Sequence, residues 1–246
     1  HQIRGISPWR DQVQALGLQK TAQLIRSNEL AVSGYCRGGM FPGIDEAARR
    51  AADDDNRRAV DEALALNAAC LVLVVGGLPG ESKDIAGARS QVRDGLGRLL
   101  EYARTAGMPL AIEPLHPMYA ADRACINTLE QANDLCDELG DDGLGIAVDL
   151  YHTWWDPKLF AQLERAGRKR ILGFHICDWL VPTRDLLLDR GMMGDGVIDI
   201  RAARQAVEAL GYEGAHEVEI FSEHNWWQRD PDSVLEMRKA RHQTHC

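Results

Sequence analysis

Four side chains able to hold a cation or move a proton close four successive apolar runs in the second half of the chain. Glu113 ends PLAIE, Asp149 ends LGIAVD, His175 ends ILGFH and Glu219 ends HEVE. A charged group at the tip of an apolar run is costly unless it is paired or coordinates a cation. One such residue commonly serves as a salt-bridge partner or a helix cap. Four on consecutive runs point to a shared task, and three carboxylates with one imidazole suit a hard to borderline divalent ion. His152 follows Asp149 by three residues and falls on the same side of a first helical turn. It is a second ligand, a donor to a substrate oxygen, or a cap. In GFHICDW, Asp178 is placed to hold the far ring nitrogen of His175 or a neighbouring base, as carboxylates behind a metal-bound histidine do. Glu217 and Glu219 share one strand face. Glu219 lies nearer the C-terminal end and reaches the ion; Glu217 lies deeper, as a structural partner.

These residues need strands to present them. Short apolar runs alternate with amphipathic segments along the whole chain. Strands are expected at Ile3–Ser7, Ala31–Tyr35, Leu71–Val75, Leu110–Glu113, Gly145–Asp149, Ile171–Cys177 and His216–Ile220. Helices are expected at Asp11–Ser27, Ile44–Leu66, Lys83–Thr105, Asn127–Leu139, Pro157–Ala166, Ile200–Leu210 and Pro231–Lys239. Gly107, Gly140 and Gly211 stand where left-handed C-caps belong. This alternation implies βαβ units and a parallel sheet. An open doubly wound sheet is the alternative. However, the first strand runs into Ser7-Pro8-Trp9-Arg10 rather than a glycine-rich dinucleotide fingerprint. The expectation is therefore an α/β chain folded as a (β/α)8 TIM barrel, one domain over residues 1–246, whose strand tips form the rim where such barrels build active sites. Seven βα units are counted against the eight of a closed barrel, so the first βα unit is the one missing.

Bulk properties narrow the partners. The net charge of -9 disfavours nucleic acid, which requires clustered Lys and Arg. Six cysteines without CxxC spacing read as reduced thiols of a cytoplasmic protein. There is no apolar stretch of membrane-spanning length, and HQIRGISPWR does not have the form of a signal peptide. Asp53-Asp54-Asp55 is expected on a solvated helix face.

The order IEP, DLYH, HICD and EVEIF resembles the sugar phosphate isomerase/epimerase group of the xylose isomerase-like barrels. The likeness covers essentially the whole chain, with its motifs concentrated between Glu113 and Phe221. By that resemblance Glu113, Asp149, His175 and Glu219 bind one divalent ion, most often manganese, with magnesium, cobalt or zinc as alternatives. It also implies that Glu113 and Glu219 are an acid/base pair flanking a metal-stabilised enediolate. The implied substrate is a small carbohydrate: a ketose, ketose phosphate or inosose.

The long segment after His175 carries Arg184 and Arg190, either of which suits an oxyanion or a phosphate. Its glycines, Gly191, Gly194 and Gly196, suggest a shaped or mobile cover. Trp9, Arg10, Arg37, His116, Tyr119, Trp154, Trp155 and Trp179 are candidates to line a sugar pocket. Trp226 and Trp227 are placed to do the same or to anchor a homo-oligomer contact. Three other functions compete. A dehydratase of a keto-polyol would begin with the same proton abstraction, and a non-catalytic metal-binding barrel would keep the ligands alone. An apurinic-site endonuclease is disfavoured, because the early strand tips supply no further His or carboxylate ligands.

Overall fold

The computed structural model describes residues 1–246. Seven successive parallel strand positions curl into a barrel wall, with helices on its outer face. The chain opens with β1 (Gly5–Ile6), α1 (Arg10–Leu16) and α2 (Leu18–Ser27). The second strand position is split into β2 (Ala31–Val32) and β3 (Tyr35–Gly39), and α3 (Glu46–Ala65) follows. Next come β4 (Leu71–Val74), α4 (Ile85–Ala106), β5 (Leu110–Ile112) and α5 (Leu129–Leu139). Then β6 (Leu144–Asp149) leads through the short α6 (Leu150–Thr153) and α7 (Leu159–Arg170) to β7 (Ile171–Ile176). A small excursion, β8 (Asp178–Trp179) and β9 (Arg190–Gly191), precedes α8 (Ile200–Ala209), β10 (His216–Val218) and α9 (Pro231–His245).

All wall pairings are parallel. β1 pairs with β2, and β3, β4, β5, β6, β7 and β10 lie side by side in that order. β1 has no partner but β2 and β10 none but β7, so the wall is open along the seam between them. The expected count of seven stands, and a cavity of about 960 Å³ occupies the seam.

The strands alternate between two environments. Leu71, Leu73, Leu110, Ile112, Ile146, Val148 and Phe174 face the helices and join a core of 50 buried residues. Inside the wall, Cys36, Cys70, Val72, Ala111 and Ala147 form a separate cluster against Trp9 and Leu172. With both faces covered, the central strands read as continuous apolar runs. The inner side chains are small, which leaves space beneath the strand tips.

Local chemistry sets the helix ends. Asp45, Asp84, Thr128 and Asp199 each accept a backbone N–H in the first turn of α3, α4, α5 and α8. Gly107 and Gly140 close α4 and α5 with φ of 74° and 59°. The single helix expected over Asp11–Ser27 is broken at Gly17, whose φ of 96° and ψ of 128° no helix accommodates. The helix expected over Pro157–Ala166 begins at Leu159 and is interrupted after Ala166 by Gly167, with φ of 59° and ψ of -179°, before a last turn to Arg170; the final helix extends to His245. Asp53 and Asp55 are not simply solvated, because they pair with Arg98 and Arg10. All six cysteines are buried and unbridged, and no helix is long and apolar enough to cross a membrane.

Candidate active site

Strand register brings the four tip residues together. Asp149 is the last residue of β6 and lies opposite His175 of β7, while Glu217 of β10 lies on the other side of His175. Glu113 continues β5 by donating its N–H to the Leu73 carbonyl at 3.1 Å, and Glu219 continues β10 by donating to Ile176 at 3.2 Å. One ligand atom from each of Glu113, Asp149, His175 and Glu219 falls within 4.8 Å of the others. Glu113, Asp149 and His175 are 5%, 0% and 4% exposed.

This crowding has electrostatic consequences. The Nδ1 of His175 lies 3.0 Å from Glu113 Oε1. Burial opposes a charge on His175, but Glu217, Glu113 and Glu219 outweigh it and raise its pKa well above the usual value. Burial likewise opposes ionisation of Asp149, yet Arg190, His152 and His175 hold its carboxyl below the usual range. Burial lifts Glu219 to about 7, opposed by Arg190 and reinforced by Asp149 and Glu113. His152 is pushed by burial to about 3, so its ring is neutral.

Arg190 is the buried cation of the cluster. Its Nη1 lies 3.1 Å from Asp149 and 3.0 Å from Glu219, and its guanidinium stacks over Tyr151 and Phe221 at 4.3 and 4.9 Å. One guanidinium and the proton-holding His175 face Glu113, Asp149, Glu217 and Glu219 in a low-dielectric setting, an acid-rich donor set. The donor set therefore fits a divalent cation on its own chemistry. The Nδ1 of His152 and the Nε of Arg190 are buried without hydrogen-bond partners. Both residues line a cavity of about 970 Å³ that also exposes Glu113 and Glu219.

Arg190 gets there by a hairpin. β8 and β9 pair antiparallel, Trp179 opposite Arg190, and the Arg190 N–H donates to the Phe221 carbonyl at 2.8 Å. At the hairpin tip the Leu186 carbonyl accepts from the hydroxyls of Tyr119 at 2.7 Å and Tyr151 at 3.0 Å. Leu187 and Leu188 face the cavity.

The other expected residues divide into two groups. Trp9, Arg37, Tyr119, Arg190 and His152 are on the cavity wall, with Trp227 at its mouth, 54% exposed. His116, Trp154 and Trp179 are off the wall. His116 stacks on Trp179 at 5.2 Å and Trp154 packs on Trp179 at 5.6 Å, so their faces are spent on one another. Trp155 donates its Nε1–H to the His152 carbonyl at 2.8 Å. Arg184 lies outside the site, its side chain 63% exposed and paired with Asp189 at 2.6 Å. Arg10 is held on the helix side by Glu62 and Asp55. Trp226 is buried, its Nε1–H donated to Asp195. Asp178 does not reach His175, because its oxygens accept the backbone N–H groups of Trp179, Gly194 and Ile198. Tyr151, Phe221, Leu187 and Leu188 were not singled out by sequence. Tyr151 carries a signal, since it sits in DLYH between two tip residues; the leucines carry none.

Known proteins bear on this geometry. An inosose isomerase of Bacillus velezensis is 30% identical over 133 residues, 51% of this chain and 44% of its own length. The chain thus spans about half the length of that curated relative. A protein of Sinorhizobium meliloti 1021 with a solved crystal structure is 58% identical, with a TM-score of 0.97 over 99% of this chain and 89% of its own. The zinc-bound IolI protein has the same fold at 19% identity, with a TM-score of 0.81 over 97% of this chain and 86% of its own. The profile described as xylose isomerase-like TIM barrel matches residues 2–239, a span that holds every member of the ligand cluster. The chain accordingly belongs to the xylose isomerase-like TIM barrel family.

Proposed function

We propose that this protein is a divalent-metal-dependent isomerase or epimerase of a sugar or sugar derivative. The observation that carries the proposal is the buried cluster of Glu113, Asp149, His175 and Glu219, two of whose carboxylates open onto the cavity. The similarity to inosose isomerases and the zinc named with the IolI structure support it. All four residues would hold the ion, manganese by preference. Bound there, it supplies Lewis acidity toward a carbonyl and its neighbouring hydroxyl.

Glu113 and Glu219 approach the cavity from well-separated strands, β5 and β10, and so offer proton transfer at one carbon from two directions. Burial raises Glu219 to about 7 in the metal-free site; a bound cation would lower it and leave the carboxylate form that a base requires. His152, kept neutral, offers a ring nitrogen to a substrate oxygen. Arg190 stabilises negative charge that develops on oxygen. Leu187, Leu188, Trp9 and Phe221 limit water at the reacting carbon and offer apolar faces to sugar C–H groups.

The test is solvent deuterium incorporation into ketoses, ketose phosphates and inososes with manganese added. Deuterium at the carbon next to the carbonyl, with an isomer or epimer as product, is the expected result. Loss of water identifies the dehydratase, and metal binding with no exchange across the panel leaves a binding barrel.

A further inference from the structure

Glu217 has no part in the ligand cluster, yet its position is specific. It lies on the inner face of β10, directly opposite His175 in register. Its Oε2 is 3.4 Å from His175 Nε2, and both side chains are at most 10% exposed. The two ring nitrogens of His175 thus face two different carboxylates, Nδ1 toward Glu113 at 3.0 Å and Nε2 toward Glu217. The neighbouring strands leave room for this arrangement. A methyl group at Gly173 would stand 3.2 Å from His175 Nε2, and one at Gly34 would stand 3.4 Å from Glu217 Oε1. Ala147 keeps the next inner position small. The carboxylate expected from sequence for this task, Asp178, is fully engaged by backbone N–H groups.

We propose that Glu217 is a positioning residue that accepts the Nε2–H of His175 and so turns the Nδ1 lone pair toward Glu113, Asp149 and Glu219. This rests on the metal-site reading above. A neutral imidazole has one N–H and one lone pair, and the group that takes the N–H decides which nitrogen can coordinate. At 3.4 Å the contact is longer than an ordinary N–H···O bond. His175 Nε2 is buried with no hydrogen-bond partner in the metal-free site, so Glu217 is the carboxylate at hand to take its proton.

The test uses zinc alone, titrated into the wild type, Glu217→Ala, Glu217→Gln and the ligand control Asp149→Asn. Glu217→Ala is expected to weaken zinc binding about 10- to 100-fold. Glu217→Gln, whose amide oxygen still accepts the N–H, is expected to lose less. Nitrogen-15 NMR of the zinc-loaded wild type is expected to show His175 bound through Nδ1 and protonated at Nε2, a readout that needs no variant to fold. Zinc bound as tightly by Glu217→Ala as by the wild type, or bound through Nε2, overturns the assignment. Failure of Asp149→Asn to weaken zinc binding instead overturns the metal site itself, and the role of Glu217 with it.

Discussion

The early and late strands of this barrel end differently. The late tips carry Glu113, Asp149, His175 and Glu219. The early tips carry Trp9, Gly38-Gly39 and Gly76-Gly77. Those glycines allow backbone to meet backbone: a side chain at Gly39 would stand 2.0 Å from the Val74 carbonyl, and one at Gly77 would stand 2.3 Å from that of Ala121. No ionisable side chain fits where main chains approach so closely. The early half instead contributes surfaces, with Trp9, Arg37, Met40 and Val74 on the cavity wall. Candidate ligands and enclosing surfaces are thus divided along the chain, with main chain meeting main chain at Gly39 and Gly77 on the early side.

The division can be tested most severely at the late tips. Glu113→Gln and Glu219→Gln should each lower kcat about 10²- to 10⁴-fold in steady-state assays. Full turnover in either variant would remove the chemistry from this half. Next in size, Arg190→Gln leaves Asp149 and Glu219 without their buried cation. It should cost the metal-free protein about 3–5 kcal/mol in urea unfolding. Unchanged stability would mean that the carboxylates find another partner.

A pH test follows. Glu219 and His175 both have raised pKa values without metal, so each holds its proton at low pH and that contribution to the fold is lost as pH rises. Zinc must displace those protons. Its affinity should fall about tenfold per pH unit for each proton displaced as pH drops through about 7. The zinc-induced rise in Tm should therefore be larger at pH 8 than at pH 6, and equal rises would contradict the titration. The smallest effects separate two arginines. Arg37→Ala, on the early wall, should raise KM about tenfold, ~1.4 kcal/mol, with kcat little changed. Arg184→Ala, with its exposed pair, should change stability by less than ~0.5 kcal/mol and leave the rate alone. A drop in kcat for Arg184→Ala would bring the hairpin tip into the reaction.

The site was legible in sequence wherever one-dimensional order decides geometry. An apolar strand that ends in a charge must deliver that charge to the barrel rim, so the convergence of Glu113, Asp149, His175 and Glu219 could be read from pattern alone. Side-chain direction beyond the strand end could not. His116, Trp154 and Trp179 occupy rim positions, but their mutual stacking turns them away from the cavity. Arg184 and Arg190 were equivalent candidates in a segment with no periodicity, and only the pairing of β8 with β9 separates them. Asp178 was the support expected for His175, and Glu217 was expected only as a structural partner deeper on its strand. The register between β7 and β10 favours Glu217, information that no single strand contains. The break at Gly17 was hidden because one glycine within an amphipathic pattern does not announce a turn.

The tether at Leu186 has a consequence for how this chain can change. Tyr119 and Tyr151 grip a main-chain oxygen, which every amino acid possesses, and they project from the short helical turns that follow Glu113 and Asp149. This tether is therefore indifferent to the side chain at position 186, whereas Asp189 and Arg190 fasten the hairpin through side chains. Leu187 and Leu188, the two it turns toward the cavity, take no part in that tether. The segment is a faceplate fastened by its main chain at Leu186, with two leucines on its cavity side.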